Sequence, residues 1–274
     1  MMKRWADEPC TRWDSEAHVV CEASHASFAS EANVEDGCPS VVIDIPDCEP
    51  HAILLEPQST AEGKTQCCVC REGSTAELYL EDGHIFQLSA AKSGRDWIIY
   101  TELGRGDHCA LARLSPHKDG TFTLVRQHGS KAASEEMMLV EHSTYAFDDQ
   151  SQPINTMAVV VPNVKGATRE LPAGALRQRD PKMCTALTSR LPRWDTKTEQ
   201  YQLNFHGRCT MASSRNFQLQ ENSSQVHGAS CKAKSPPPEV LLYGKVEQNE
   251  FHLDYRAPLS TLQAFAICLT SWSW

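Results

Sequence analysis

The chain has 274 residues and a mass of 30.5 kDa, with 41% apolar residues and a net charge of −9. That length supports a sizeable core, as two ordinary domains or one large all-β barrel. It contains no run near the roughly 18 apolar residues of a membrane span. The start, Met1 to Glu8, has charge without the apolar stretch of a secretory signal. The acidic balance argues against a nucleic-acid-binding surface.

The acidic excess sits at the front. Residues 1–64 hold four basic and thirteen acidic side chains, and the rest of the chain is balanced. Residues 1–63 read as a leader rich in Ser, Ala, Glu and Asp, too poor in apolar surface to offset the entropy of ordering. Val41-Val42-Ile43 and Ile53-Leu54-Leu55 are its apolar clusters. They are either docking peptides or part of a disordered, solvated segment.

Residues 64–274 have the texture of an ordered domain. Leu78–Glu81, the Asp82-Gly83 turn and His84–Leu88 predict a hairpin, because Asp-Gly supplies the positive φ of a tight turn. Asp96–Tyr100 predicts a strand followed by a turn at Gly104-Arg105-Gly106, and Cys109–Leu114 predicts another. Asp119-Gly120 turns into Thr121–Val125, and Met157–Val161, ended by Pro162, reads as a buried strand. Residues 163–183 read as a long basic connection. Tyr201–Phe205 alternates, residues 220–238 read as a polar insertion, and Val240–Val246 and Phe251–Tyr255 flank a turn. Pro258–Trp272 predicts a helix, and between Leu262 and Leu269 only Gln263 is polar. A helix apolar nearly all round must be buried. Many short strands followed by one oily helix suggest a closed antiparallel barrel filled by that helix.

Signs of catalytic chemistry are sparse. The twelve cysteines are scattered, and without a secretion signal they read as reduced thiols packed as small apolar groups. Cys67-Cys68-Val69-Cys70 has one C-x-x-C spacing without the second ligand pair a zinc site needs, so no metal is expected. His206 precedes Gly207 and reads as a turn residue, with no nucleophile elbow to serve. No phosphate-cradling glycine loop is present, and Glu81 and Asp82 fall in a hairpin turn. No enzyme and no cofactor are expected. Lys92, Arg95, Arg105, Arg113 and Lys118 fall on neighbouring strands or loops, where clustered cations hold phosphate or anionic lipid; the plainer reading is solvated surface charge.

The C-terminal third carries a resemblance. Tyr201 to Leu219, YQLNFHGRCTMASSRNFQL, resembles the Tubby family signature Y-x-L-N-F-x-G-R-x-x-x-A-S-x-x-N-F-Q. Tyr243-Gly244-Lys245-Val246 is similar to the family's F-G-R/K-V element. Phe251–Tyr255 with Pro258–Ile267 is similar to its F-x-x-D-Y and P-L-x-x-L-Q-A-F-A-I ending, and Pro192 and Trp194 stand where it has P-x-W. The close likeness covers about 80 residues, with looser similarity back to Thr65.

The resemblance implies a Tubby C-terminal domain: mainly β, a closed barrel around a central hydrophobic C-terminal helix. It also implies binding of phosphatidylinositol 4,5-bisphosphate or a related phosphoinositide at the membrane surface. A cytoplasmic, peripheral location follows, with the cilium or nucleus as further sites. As partners it implies the ciliary transport machinery and membrane-protein cargo. The family's head-group strand, Y-[IL]-G-[KR]-[LV]-R-S-N, aligns with Ala110–Ser115, so that Arg113 matches the first basic residue and Ser115 replaces the second. The family's P-R-K-M becomes Pro153-Ile154-Asn155-Thr156-Met157, placing Asn155 at the site without a cation. The upstream basic run is reduced to Lys92 and Arg95. Each lost cation removes a charge-assisted contact of about 1.5–3 kcal/mol, and two would weaken binding by about a hundredfold or more. The alternative is a protein-interaction scaffold with a degenerate lipid site, its partner surface the leader or the 220–238 insertion.

Overall fold

Short runs with period-two burial, separated by glycine turns, fold here into strands that alternate a core side and a solvent side. The computed structural model describes residues 52–57, 63–101, 110–127, 134–147, 153–163, 174–196, 200–222 and 237–274. Nearly all of the leader, the Gly104-Arg105-Gly106 turn, Cys109 and most of the 220–238 insertion lie outside these residues.

The strands are β1 (Thr65–Glu72), β2 (Thr75–Leu80), β3 (Ile85–Ser93), β4 (Asp96–Tyr100), β5 (Ala110–Pro116), β6 (Thr121–Gln127) and β7 (Ser134–Tyr145). They continue with β8 (Ile154–Pro162), β9 (Cys184–Ser189), β10 (Arg193–Asp195), β11 (Gln200–Gln202), β12 (Phe217–Glu221), β13 (Glu239–Lys245) and β14 (Glu250–Tyr255). Twelve of them close an antiparallel barrel in the order β1-β14-β13-β12-β9-β8-β7-β6-β5-β4-β3-β2, while β10 and β11 form a separate ribbon.

The C-terminal helix fills the barrel. It runs Thr261–Thr270, later than Pro258, because Ser260 caps it: the Gln263 backbone N–H donates to Ser260 Oγ, and the Ser260 N–H donates to Gln263 Oε1. Every residue of this helix is buried. Gln263 tolerates burial because its Nε2 also donates to the Met137 carbonyl at 2.9 Å. Inward rows from the wall meet the helix: Cys67 and Val69 on β1, Leu88 and Ala90 on β3, Ala112 and Leu114 on β5, Leu241 and Tyr243 on β13. A short helix α1 (Ala52–Leu55), read in the sequence as leader, lays Leu54 and Leu55 against the same core, and Pro57 bridges to Ser260.

Several elements differ from the sequence reading. The β2–β3 connection is longer than a two-residue turn: Leu80 pairs with Ile85, and both Gly83 (φ +71°) and His84 (φ +49°) take left-handed backbone. Strand β11 stops at Gln202 because Asn204 Oδ1 accepts the His206 N–H and the chain turns at His206 (φ +53°) and Gly207 (φ +79°). The sequence reading offered no strand at β7, β9 or β12. β7 is buried on both sides, with Met138 and Val140 in the barrel and Leu139 under Leu176 of α2 (Ala175–Gln178), so alternation is lost.

Candidate functional site

The five residues expected to contact phosphate fall on one end of the barrel but not on one face. Arg113 and Ser115 share the outward row of β5, with the Arg113 side chain 49% exposed and its Nε 4.0 Å from Asp96 Oδ2. Arg95 is exposed in the β3–β4 turn. Lys92 continues the inward row of β3 to the barrel mouth, where its Nζ lies 5.9 Å from the ring centre of its cross-strand partner Trp97. Asn155 pairs with Thr144, three strands from β5 along the wall, a separation of about 14 Å. The structure therefore groups Arg113, Ser115 and the β3–β4 hairpin, and sets Asn155 apart.

The residues that carry the family likeness build a brace. The loop after β11 crosses the outer face of the barrel, and Arg208 clamps it: Nε donates to both oxygens of Asp254 at 3.0 and 3.1 Å, and its terminal nitrogens donate to Glu81 at 2.9 and 2.6 Å. Burial opposes the Arg208 charge, but the two carboxylates outweigh it and raise its pKa. In return the Arg208 hydrogen bonds hold the Glu81 carboxyl below its usual range. Asn216 donates to the Met211 carbonyl and accepts the Lys245 N–H, tying the loop to β13. Gly244 is required where the loop lands, since a Cβ there would lie 2.8 Å from the Cys209 Cβ.

The sequence reading missed a second group of cations at the barrel mouth. The inward row of β1 runs Cys67, Val69, Arg71, and that of β13 runs Leu241, Tyr243, Lys245. Each row thus passes from core to cation at the mouth, as β3 does with Lys92. Arg71 lies 4.6 Å over the ring of Trp272, which follows the central helix. Arg71, Arg215 and Lys245 line a cleft of about 380 Å³ together with Gln248, Asn249 and Phe251. The signal in the sequence was an apolar alternation ending in Lys or Arg. Single cations at strand ends are too common for that signal to stand out before the barrel brings them together.

Cys68, Glu250 and His252 bring possible metal-ligating atoms within 4.8 Å of one another on the outer face. Burial, reinforced by Glu250, pushes the Cys68 thiol up to about 12, so a metal there would have to displace a tightly held proton. The His252 Nδ1 meets the Arg208 carbonyl at 3.2 Å, which ties this histidine to the brace. The six cysteines among the described residues carry free thiols.

Comparison with known proteins points one way. The family model described as Tub family matches residues 108–273. Tubby protein homolog 1 of Caenorhabditis briggsae is 41% identical over 95 residues, covering 35% of this chain and 20% of that protein. Tubby-like F-box protein 8 of Oryza sativa subsp. japonica is 46% identical over 90 residues, 31% of this chain and 20% of that protein. Protein king tubby of Drosophila sechellia is 30% identical over 189 residues, 62% of this chain and 39% of that protein. The chain thus spans about a fifth to two fifths of the length of these relatives.

Proposed function

The chain belongs to the Tub family, and from that premise we propose that it is a non-enzymatic phosphoinositide-binding adaptor, peripheral to the cytoplasmic face of membranes. Phosphatidylinositol 4,5-bisphosphate or a related lipid is its ligand in this reading. Traffic of membrane proteins to cilia is the process it serves, with the ciliary transport machinery and membrane-protein cargo as partners. No helix among the described residues is long and apolar enough to cross a membrane. The observation that supports the reading is the outward, half-exposed Arg113 guanidinium on the strand that aligns with the family's head-group strand. Arg95 and Lys92 lie on the neighbouring hairpin, and Asp96 offsets one of these charges.

Vesicle flotation tests this. Recovery is expected to rise with phosphatidylinositol 4,5-bisphosphate in the vesicles, to fall with salt, and to drop about tenfold in Arg113→Ala, the equivalent of one charge-assisted contact. Equal recovery with and without the lipid would overturn it.

A second reading, a protein-interaction scaffold, is favoured by an exposed aromatic group around the β10–β11 ribbon. Trp194 packs edge-on to Tyr201 at 5.0 Å, Phe147 stacks on Tyr201 at 3.9 Å, and Tyr145 meets Phe147 at 5.2 Å. Trp194 is 53% exposed, and aromatic side chains of this kind anchor protein interfaces. Partner capture that requires Trp194 and not Arg113 would establish that reading over the first.

A further inference from the structure

The structure assigns a second anion site: the mouth cleft formed by Arg71, Arg215 and Lys245, which we infer takes a phosphate monoester of the kind carried by inositol phosphates, free or as lipid head groups. It does not rest on the Arg113 reading, because Arg113 faces out from β5 whereas Arg71 and Lys245 end inward rows at the mouth.

Four observations carry the inference. All three cations are half-buried, and among the described residues none forms an ion pair with a carboxylate. The Arg215 Nε is buried without a hydrogen-bond partner, and a guanidinium N–H held out of water lacks the bond an oxyanion would accept. Arg71 is held in place rather than free, over the Trp272 ring and with its Nε donating to the Gly73 carbonyl at 3.3 Å. Burial and the nearby Arg215 charge both lower the Arg71 pKa, so the two guanidinium groups repel each other across the cleft. A dianion between them relieves that repulsion.

The negative end of the central helix dipole also faces this mouth and accounts for one cation beside Trp272. It does not account for three, nor for an unpartnered Nε. A cleft of about 380 Å³ falls within the range of small-molecule sites, roughly 300–1,000 Å³. The side chains of Gln248 and Asn249 at its lip add neutral donors for ring hydroxyls.

Calorimetric titration of the full chain with inositol 1,4,5-trisphosphate at low ionic strength tests the site. Saturable binding is expected. Arg215→Gln and Lys245→Gln should each weaken it at least about tenfold, while Arg113→Ala leaves a saturable site behind. Lys245→Gln is the second variant because it preserves the backbone bond to Asn216 and hence the fold, which a thermal melt verifies. Flotation on vesicles containing phosphatidylinositol 4,5-bisphosphate separates the sources: reduced recovery of Arg215→Gln assigns the cleft to a lipid head group, and unchanged recovery assigns it to the free phosphate. No saturable heat, or variants that bind as the parent does, would overturn the site. Loss of all binding in Arg113→Ala alone would overturn it too, and would leave the Arg113 reading standing.

Discussion

Replacing Arg208 by Met removes the clamp and leaves Asp254 where it is. The Asp254 side chain is 5% exposed and that of Arg208 15% exposed, so their two-point contact is shielded from solvent, whereas Glu81 is 37% exposed. Stranding a buried carboxylate costs about 3–5 kcal/mol. The Glu81 arm, open to water, adds at most about 1 kcal/mol. Against a typical total of about 5–15 kcal/mol, Arg208→Met should fold but melt about 10 °C lower, at about 2–4 °C per kcal/mol for a unit of this size. Urea unfolding followed by tryptophan fluorescence gives the free energy directly. Glu81→Gln should lose no more than about 1 kcal/mol. The double variant Arg208→Met, Asp254→Leu should recover more than half the loss, since it removes the stranded charge along with its partner. A loss below about 1 kcal/mol in Arg208→Met, or a double variant as unstable as the sum of its singles, would refute the assignment of this loop as an electrostatic clamp.

Acid should destabilise the barrel through His142. Burial between Phe122, Trp274 and Thr270 lowers its pKa from 6.5 to about 4. The unfolded chain therefore takes up the proton first as pH falls, and about 2 kcal/mol is lost between pH 7 and pH 5. Urea midpoints at the two pH values measure this, and His142→Asn should flatten the slope. Glu81, whose pKa is lowered in the fold, supplies stability above its ordinary value of 4.5 and withdraws it at lower pH, so it steepens the loss only below that window. Gly244→Ala should destabilise by about 1–3 kcal/mol through the collision with Cys209, in a strand where alanine would otherwise be tolerated; a neutral result in chemical denaturation would show that the loop yields. Phe265→Ala, at the centre of the plug, should cost about 3–5 kcal/mol in the same assay.

Local chemistry makes part of this molecule legible from its residues. Strand β4 is found where alternation places it, the plug is recognisable because a helix without a polar face has nowhere to go but inside, and the family likeness rests on contiguous motifs. Strand β7 is not legible in this way. α2 covers its outer face, and burial on both sides erases the period-two signal that only one-sided burial creates.

Residue pattern alone determined that this chain carries many short strands and one C-terminal helix that must be buried, because apolar periodicity acts over a few neighbours. Only the tertiary structure decided what the motifs are for. Arg208 and Asp254 stand 46 positions apart and meet across the wall. Arg71, Arg215 and Lys245, from three distant segments, reach one cleft because barrel closure brings β1 and β13 to flank β14. Charge acts through space, and the distances that set its strength exist only after the barrel has closed.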